Sequence, residues 1–467
     1  MRAPLLLLVV LHVLAAAPAR AVAPWPVPAT YHLRTETRLA TDRWFGARVG
    51  PVERVDLRQR LQLDVLGAPA PGGPRLAFVS DLEIGTDLGP PVSTLRSLPD
   101  GRRAVLDLYT AHLLVRDVAG VLDARIGRHV LIDALGFDAL DGLTADLRAA
   151  PFLTIEASAG LAVRRGWADF GPDLYDQDGA TLATDPGYVF GLALATRDVS
   201  WLAARAAWRR VFDASDLQRE EAGVAASVQP GGGTSLSGRL RYDAIFLRVA
   251  EAGLGAALRL GDAARVALEW VRARPTFSAD SIWNAFGVEP YDAARATAHA
   301  ALGPWRLTTD GGARVFDTGD PAATTPGDPR DPPAAPAERH PVAWDAALRV
   351  ERDVVSGPHP GHVGAEGRLG GGYGGARHHG DLYARLPVPL APGNPPLALR
   401  ARLGAIWLDD PERDARDTVS GWGLLAAEWP AAEGIWVEGV LEGSVSDDVR
   451  NPWRFRGLAQ LRFEDWW

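Results

Sequence analysis

The chain has 467 residues, a formal net charge of −9 and no cysteine. The missing thiols exclude a disulfide scaffold, a thiol nucleophile and a cysteine metal site. An acidic chain without basic runs is not expected to bind nucleic acid, and every basic side chain is arginine or histidine, with no lysine anywhere.

In chain order, residues 1–21 read as a signal peptide. Arg2 supplies the positive start, Leu5 to Leu14 an apolar stretch too short to span a bilayer, and Ala19-Arg20-Ala21 a small-residue cleavage site. Residues 22–30 are a short lead, and residues 31–467 carry one repeated pattern. No later run of 18 apolar residues exists, so no helical span is expected. Period-two alternation dominates instead. Val55, Leu57, Leu61, Leu63 and Val65 alternate with Asp56, Arg58, Arg60, Gln62 and Asp64. Leu236 and Leu240 alternate with Arg239 and Arg241, and Val266, Leu268 and Trp270 with Arg265 and Glu269. Near the end, Leu397, Leu399 and Leu403 alternate with Arg400 and Arg402, and Phe455, Ala459, Leu461 and Phe463 with Arg454, Arg456 and Arg462.

Short links near 117–120, 150–151, 198–199, 229–233, 261–263, 303–304 and 430–433 alternate with longer ones at 88–103, 131–140, 165–186, 275–292, 317–341 and 409–417. Short turns on one rim and long loops on the other predict an all-β fold: one transmembrane antiparallel barrel of about 22 strands, within a range of roughly 18–22. Segments 223–255 and 354–380 are where strands could merge. Trp44, Trp167, Trp201, Trp270, Trp305, Trp344, Trp407, Trp429 and Trp453 fall at or near strand ends, where indole rings favour the lipid–water boundary. An exported soluble β-protein with a tryptophan-rich core would share the alternation. Some twenty short strands without linkers favour a single closed sheet.

Parity then divides the side chains. Leu268 and Leu399 fall on the lipid face. Arg58, Arg60, Arg125, Arg205, Arg239, Arg241, Arg265, Arg400, Arg402, Arg454 and Arg456 fall on the lumenal face. Lumenal arginines outnumber lumenal carboxylates by about two to one, which predicts a preference for anions despite the negative total charge. Within residues 124–148, Gly127 predicts close backbone approach, and Arg125 is expected to stay solvated or to pair with Asp123 or Asp141.

The stretches "LDLYTAHL" (106–113), "RIGRH" (125–129) and "FDALDG" (137–142) resemble the porin-like outer-membrane barrels of the alginate-export type. Those carry an L-x-L-x-x-A-Y strand, a G-R-Q strand end and an F-D-G strand start. His129 stands where glutamine is usual, and Ala139-Leu140 separate Phe-Asp from Asp-Gly. The similarity covers about 45 residues. It implies a passive or export channel. The ending "FRGLAQLRFEDWW" (455–467) resembles the aromatic terminus that barrel assembly machinery recognises, with Asp465 at one position where an apolar residue is expected.

No enzyme is expected: there is no G-x-S-x-G, no P-loop and no H-E-x-x-H. Asp176, Asp178, Gly179 and Asp185 in residues 174–185 partly match a calcium loop, but Leu174 replaces the first ligand. His359, His362, His378 and His379 match no zinc spacing. Asp409, Asp410, Glu412, Asp414 and Asp417 form an acidic loop suited to solvation or to bridging lipopolysaccharide through divalent ions. The expected function is an outer-membrane channel in a Gram-negative cell, without cofactor, surrounded by lipid and lipopolysaccharide. It would pass polar, anionic solutes or polysaccharide. The alternative is a barrel that conducts nothing and serves as a surface scaffold or adhesin.

Overall fold

The computed structural model describes residues 29–46, 50–67, 73–88, 104–163, 187–213, 216–274, 290–317, 342–355, 360–372, 375–390, 395–409, 418–447 and 453–466. These form twenty-two strands in one sheet. The first half comprises β1 (Ala29–Gly46), β2 (Gly50–Gly67), β3 (Arg75–Asp87), β4 (Ala104–Val118), β5 (Leu122–Asp133), β6 (Gly136–Ala150), β7 (Leu153–Ala162), β8 (Gly187–Thr196), β9 (Leu202–Asp213), β10 (Asp216–Gly231) and β11 (Thr234–Asp243). The second comprises β12 (Arg248–Leu260), β13 (Ala264–Ala273), β14 (Tyr291–Leu302), β15 (Trp305–Phe316), β16 (Val342–Val355), β17 (Gly361–Gly372), β18 (Ala376–Val388), β19 (Leu397–Asp409), β20 (Thr418–Ala432), β21 (Ile435–Ser446) and β22 (Trp453–Trp466). Segments 223–255 and 354–380 each resolve into separate strands, so the count is at the upper end of the expected range.

Every strand pairs antiparallel with its sequence neighbours, and β22 closes on β1 from His32↔Trp466 to Phe45↔Trp453. Closure leaves no sheet edge, which is the condition for a β-structure to stand in lipid. Ten or more residues per strand match or exceed the 9–11 that a tilted strand needs to cross a bilayer.

The alternation places a broad apolar surface on the outside. Leu441 is 68% exposed, Leu403 67%, and Leu254, Leu268, Leu348, Leu369, Leu382 and Leu425 are exposed with them. Such a band is broader than the apolar patches that water-soluble monomers usually present. Exposed tryptophans flank it. Trp344 and Trp453 stand at the rim opposite the termini, Trp201, Trp305 and Trp466 at the rim of the termini.

Links 88–103, 163–186, 274–290, 317–341 and 410–417 all leave the rim opposite the termini, while 151–152, 232–233, 303–304 and 433–434 turn tightly at the other. One expectation needs correction. Residues 131–140 are no long loop: β5 and β6 run on to a two-residue turn at Ala134-Leu135, with Asp133 accepting a hydrogen bond from the Leu135 amide at 2.8 Å. Period-two alternation is hard to see there because both faces of the ribbon carry apolar side chains.

Candidate functional site

The tip of the β5–β6 hairpin leaves the wall. β5 pairs with β4 only as far as Ala111↔Arg128, and β6 pairs with β7 only from Leu140↔Ala162 onward. Beyond those points, apart from the Val163 amide donating to the Ala139 carbonyl oxygen at 3.0 Å, β5 and β6 pair with each other, to Asp133↔Gly136.

Glycines make the bend. Gly127, Gly142 and Gly160 stand in register across β5, β6 and β7. Gly127 has φ +119°, and a Cβ there would strike the Ala111 carbonyl oxygen. A Cβ on Gly142 or Gly160 would lie 2.6 Å from Leu140 Cδ1. Gly142 and Gly160 therefore form a flat floor over which the Leu140 side chain lies, while Gly127 lets β5 pass close to the Ala111 carbonyl. From this floor the ribbon folds onto the inner wall. Leu131 and Leu140 are buried with Val189, against Ala162 and Val211, and Leu135 is buried with Ala193 and Ala207.

An ionic clamp completes the attachment. Arg209 on β9 is 1% exposed. Its guanidinium binds Asp133 at 2.5 Å and also binds Asp138, which in turn accepts from Arg219 on β10. Two hairpin carboxylates thus meet two wall arginines. A buried guanidinium with carboxylates on both flanks keeps its charge compensated.

At the base of the hairpin, His129 is buried. Its Nδ1 lies 2.9 Å from the Gly127 carbonyl oxygen and its Nε2 2.7 Å from the Thr144 hydroxyl. The His112 ring on β4 stands 5.9 Å away, centroid to centroid.

The second part of the site is a basic wall around the closing seam. A cavity of about 300 Å³ is lined by Arg38, Asp42, Asp56, Arg58, Arg454 and Arg456 from β1, β2 and β22. Four guanidiniums there face two carboxylates. Arg454 binds Asp42 at 2.7 Å and Arg58 binds Glu83 at 2.9 Å. Among the described residues, Arg38 and Arg456 have no carboxylate within ion-pair distance, and Arg38 Nε is buried without a hydrogen-bond partner. Beyond the cavity, Arg462 lies 4.4 Å over the Trp436 ring, and Arg402 lies 5.1 Å over Trp422 while binding Asp381 at 2.8 Å.

The other arginines singled out in the sequence lie on the parity opposite the exposed leucines, and most are paired. Arg60 binds Asp81, and Arg400 binds Glu438. Arg205 binds Glu156 at 2.7 Å. Arg239 reaches Glu251 at 2.5 Å and Glu269 at 3.1 Å, and Arg241 reaches Glu221 at 3.6 Å and Glu251 at 3.7 Å. Arg265 stands opposite Arg259 on one side and His299 on the other. Arg125 does not follow the expected pairing: it approaches Asp146 at 3.5 Å and Glu156 at 3.9 Å, while Asp123 is taken by Arg148 and Asp141 by Arg128. The reason is register. Arg125 stands opposite Thr144, so the carboxylates within its reach belong to β6 and β7 farther along the strand.

The histidines do not gather. His379 binds Asp381 at 2.9 Å, His378 stacks on Trp407 from the opposite face, and His362 stands edge-on to Tyr383. Among the described residues no three His, Asp or Glu side chains are placed to hold a metal ion. Residues 174–185, His359 and residues 410–417 lie outside the described residues.

Sequence reasoning missed Arg219, the clamp on Arg209 and the glycine floor. The Asp-x₄-Asp spacing of Asp133 and Asp138 around a turn was the available signal.

No family model matches the sequence, and no curated protein matches it. Several solved structures align over most of the chain. OccAB4 of Acinetobacter baumannii is 7% identical with a TM-score of 0.47, over 94% of this chain and 99% of that one. OpdK of Pseudomonas aeruginosa, solved with vanillate, is 12% identical with a TM-score of 0.45, again over 94% and 99%. OccK9 (OpdG) of Pseudomonas aeruginosa is 12% identical with a TM-score of 0.45, over 94% and 98%. At these identities and TM-scores nothing about activity passes from those proteins to this chain.

Proposed function

We propose that this protein is an outer-membrane channel of a Gram-negative cell that passes small anionic, polar solutes down their gradient. The observation that carries the reading is the basic seam wall of a closed barrel: Arg38, Arg58, Arg454 and Arg456 against Asp42 and Asp56 around one cavity. Charges of one sign along a wet lumen set the selectivity of a pore. The inward hairpin favours small solutes over a polysaccharide chain, because it occupies space that an extended polymer needs. Lumen-lining arginines, Arg265, Arg400 and Arg402 included, extend the basic surface around the wall. Outside, lipid and lipopolysaccharide cover the apolar band, and the barrel assembly machinery reads the C-terminal strand. The mechanism needs no cofactor and makes no covalent bond.

The test is a planar-bilayer recording of the refolded protein under a KCl gradient. The expected reversal potential favours chloride, and Arg38→Glu with Arg456→Glu moves it toward potassium. A cation-selective wild type would overturn the reading. A folded barrel without conductance would favour a surface scaffold.

A further inference from the structure

The buried imidazole at the base of the hairpin has no part in ion selectivity, yet it sits where the ribbon leaves the wall. A carbonyl oxygen only accepts, so His129 Nδ1 carries the proton that bonds to the Gly127 oxygen at 2.9 Å. In the neutral ring Nε2 is then an acceptor, and the Thr144 hydroxyl donates to it at 2.7 Å. A hydroxyl oxygen also accepts, so a doubly protonated ring could keep both contacts, and what the second proton adds is a charge in a buried place.

A second proton changes the charge of the ring. Nε2 would then donate to the Thr144 hydroxyl oxygen. The new charge would lie in a buried site whose neighbours are already committed. From β4 it faces His112, and from β5 Arg125. From β6 and β7 the carboxylates are Asp141, held by Arg128 at 2.6 Å, Asp146, shared with Arg125, and Glu156, held by Arg205 at 2.7 Å. None of these carboxylates contacts His129. An uncompensated charge in such a place is costly, and moving the hairpin into water relieves it.

We propose that His129 is a pH-sensitive hinge: with a neutral ring the β5–β6 hairpin stays folded on the inner wall, and protonation of His129 releases it into the lumen. Because the released form binds one more proton, acidification through the imidazole range favours release, by up to about tenfold per pH unit for a single proton. The clamp of Arg209 on Asp133 and Asp138 opposes release and returns the hairpin when the pH rises.

The chain has no cysteine, so Ala134→Cys at the hairpin tip gives one thiol for an environment-sensitive fluorophore. The labelled, refolded barrel is titrated from pH 7.5 to pH 5, and its emission reports hairpin movement whether or not the barrel conducts. The expected result is a single emission step in the imidazole range, absent when His129→Gln is added and retained when His362→Gln is added instead. In the same preparation, single-channel current of wild type should change over the same interval. An emission that does not change with pH, or a step that survives His129→Gln, overturns the proposal. Should His129→Gln not give a heat-modifiable barrel, Thr144→Val serves: it removes the oxygen to which a protonated Nε2 would donate, so the buried charge costs more and the emission step should shift along the pH axis. An emission step left in place by Thr144→Val also overturns the proposal. Absence of current with an intact emission step would sink the channel reading and leave the hinge standing.

Discussion

At the scale of single residues, the feature that organises the lumen is Arg209. Its charge is deeply buried and is balanced by two carboxylates that belong to a ribbon detached from the wall. Removing the guanidinium leaves Asp133 and Asp138 on the inner wall with only Arg219 in reach. Breaking a buried pair from one side costs about 3–5 kcal/mol. That cost is expected to fall on hairpin attachment and not on the barrel, whose strand ladder does not involve the tip. Arg209→Ala should therefore raise single-channel conductance and expose the 129–139 segment to added protease. The urea midpoint of the barrel should remain near wild type. A large fall in that midpoint would show that the clamp supports the wall itself.

At the scale of elements, depth along the strand decides what a charge costs. Leu268 and Leu403 are exposed near the middle of β13 and β19, while Leu399 is the third residue of β19. An arginine at the bilayer midplane costs about 2–4 kcal/mol, falling to about 0–1 near the interface. Leu268→Arg and Leu403→Arg should each lower folding free energy into vesicles by the larger amount, and Leu399→Arg by much less. Glu269→Gln, on the other face of β13, loses one partly exposed ion pair with Arg239, worth about 0–1 kcal/mol. Equal losses at Leu268 and Glu269 would mean that the faces are reversed. The closing strand gives another expected outcome. Trp466 stacks on His32 at 3.9 Å across the β1–β22 seam. Deleting Trp466 and Trp467 removes that contact along with the aromatic end proposed as an assembly signal. The heat-modifiable barrel recovered from outer membranes should fall severalfold, and normal levels would refute the role.

At the scale of the whole molecule, net charge is the wrong quantity to read. The sum is −9, but residues 410–417 and 318–331 contribute carboxylates from links between strands, while the strands of the seam contribute arginines to the inner face. A field from a charged wall acts only over a Debye length, about 10 Å at 0.1 M salt and about 3 Å at 1 M. Anion preference is therefore expected to weaken strongly between 0.1 M and 1 M KCl, as read from reversal potentials at a fixed concentration ratio. Selectivity that survives 1 M salt would place its source in direct contacts at a narrow point instead of in the field of the wall.

Closure, strand number and the two-faced alternation of the strands were legible in the chain itself. Each depends on a period of two and on links of alternating length, and both are local properties: Leu268 and Glu269 point apart because they are neighbours in a strand, whatever else the chain does. The arginines could be placed on one face for the same reason, but their partners could not be named. Arg125 pairs toward Asp146 and Glu156 because register across β5, β6 and β7 sets which carboxylates come within reach. The inward hairpin was hidden more deeply. Leu131, Leu135 and Leu140 find their partners on β7, β8 and β9, and Asp133 meets Arg209 from a residue 76 positions away. Three glycines are unremarkable in sequence until the register of β5, β6 and β7 sets Gly127, Gly142 and Gly160 side by side, and only then is there room for a ribbon to turn inward and carry His129 to its base. The pattern along the chain decided which side of the wall each residue occupies, and long-range packing decided what fills the space that the wall encloses.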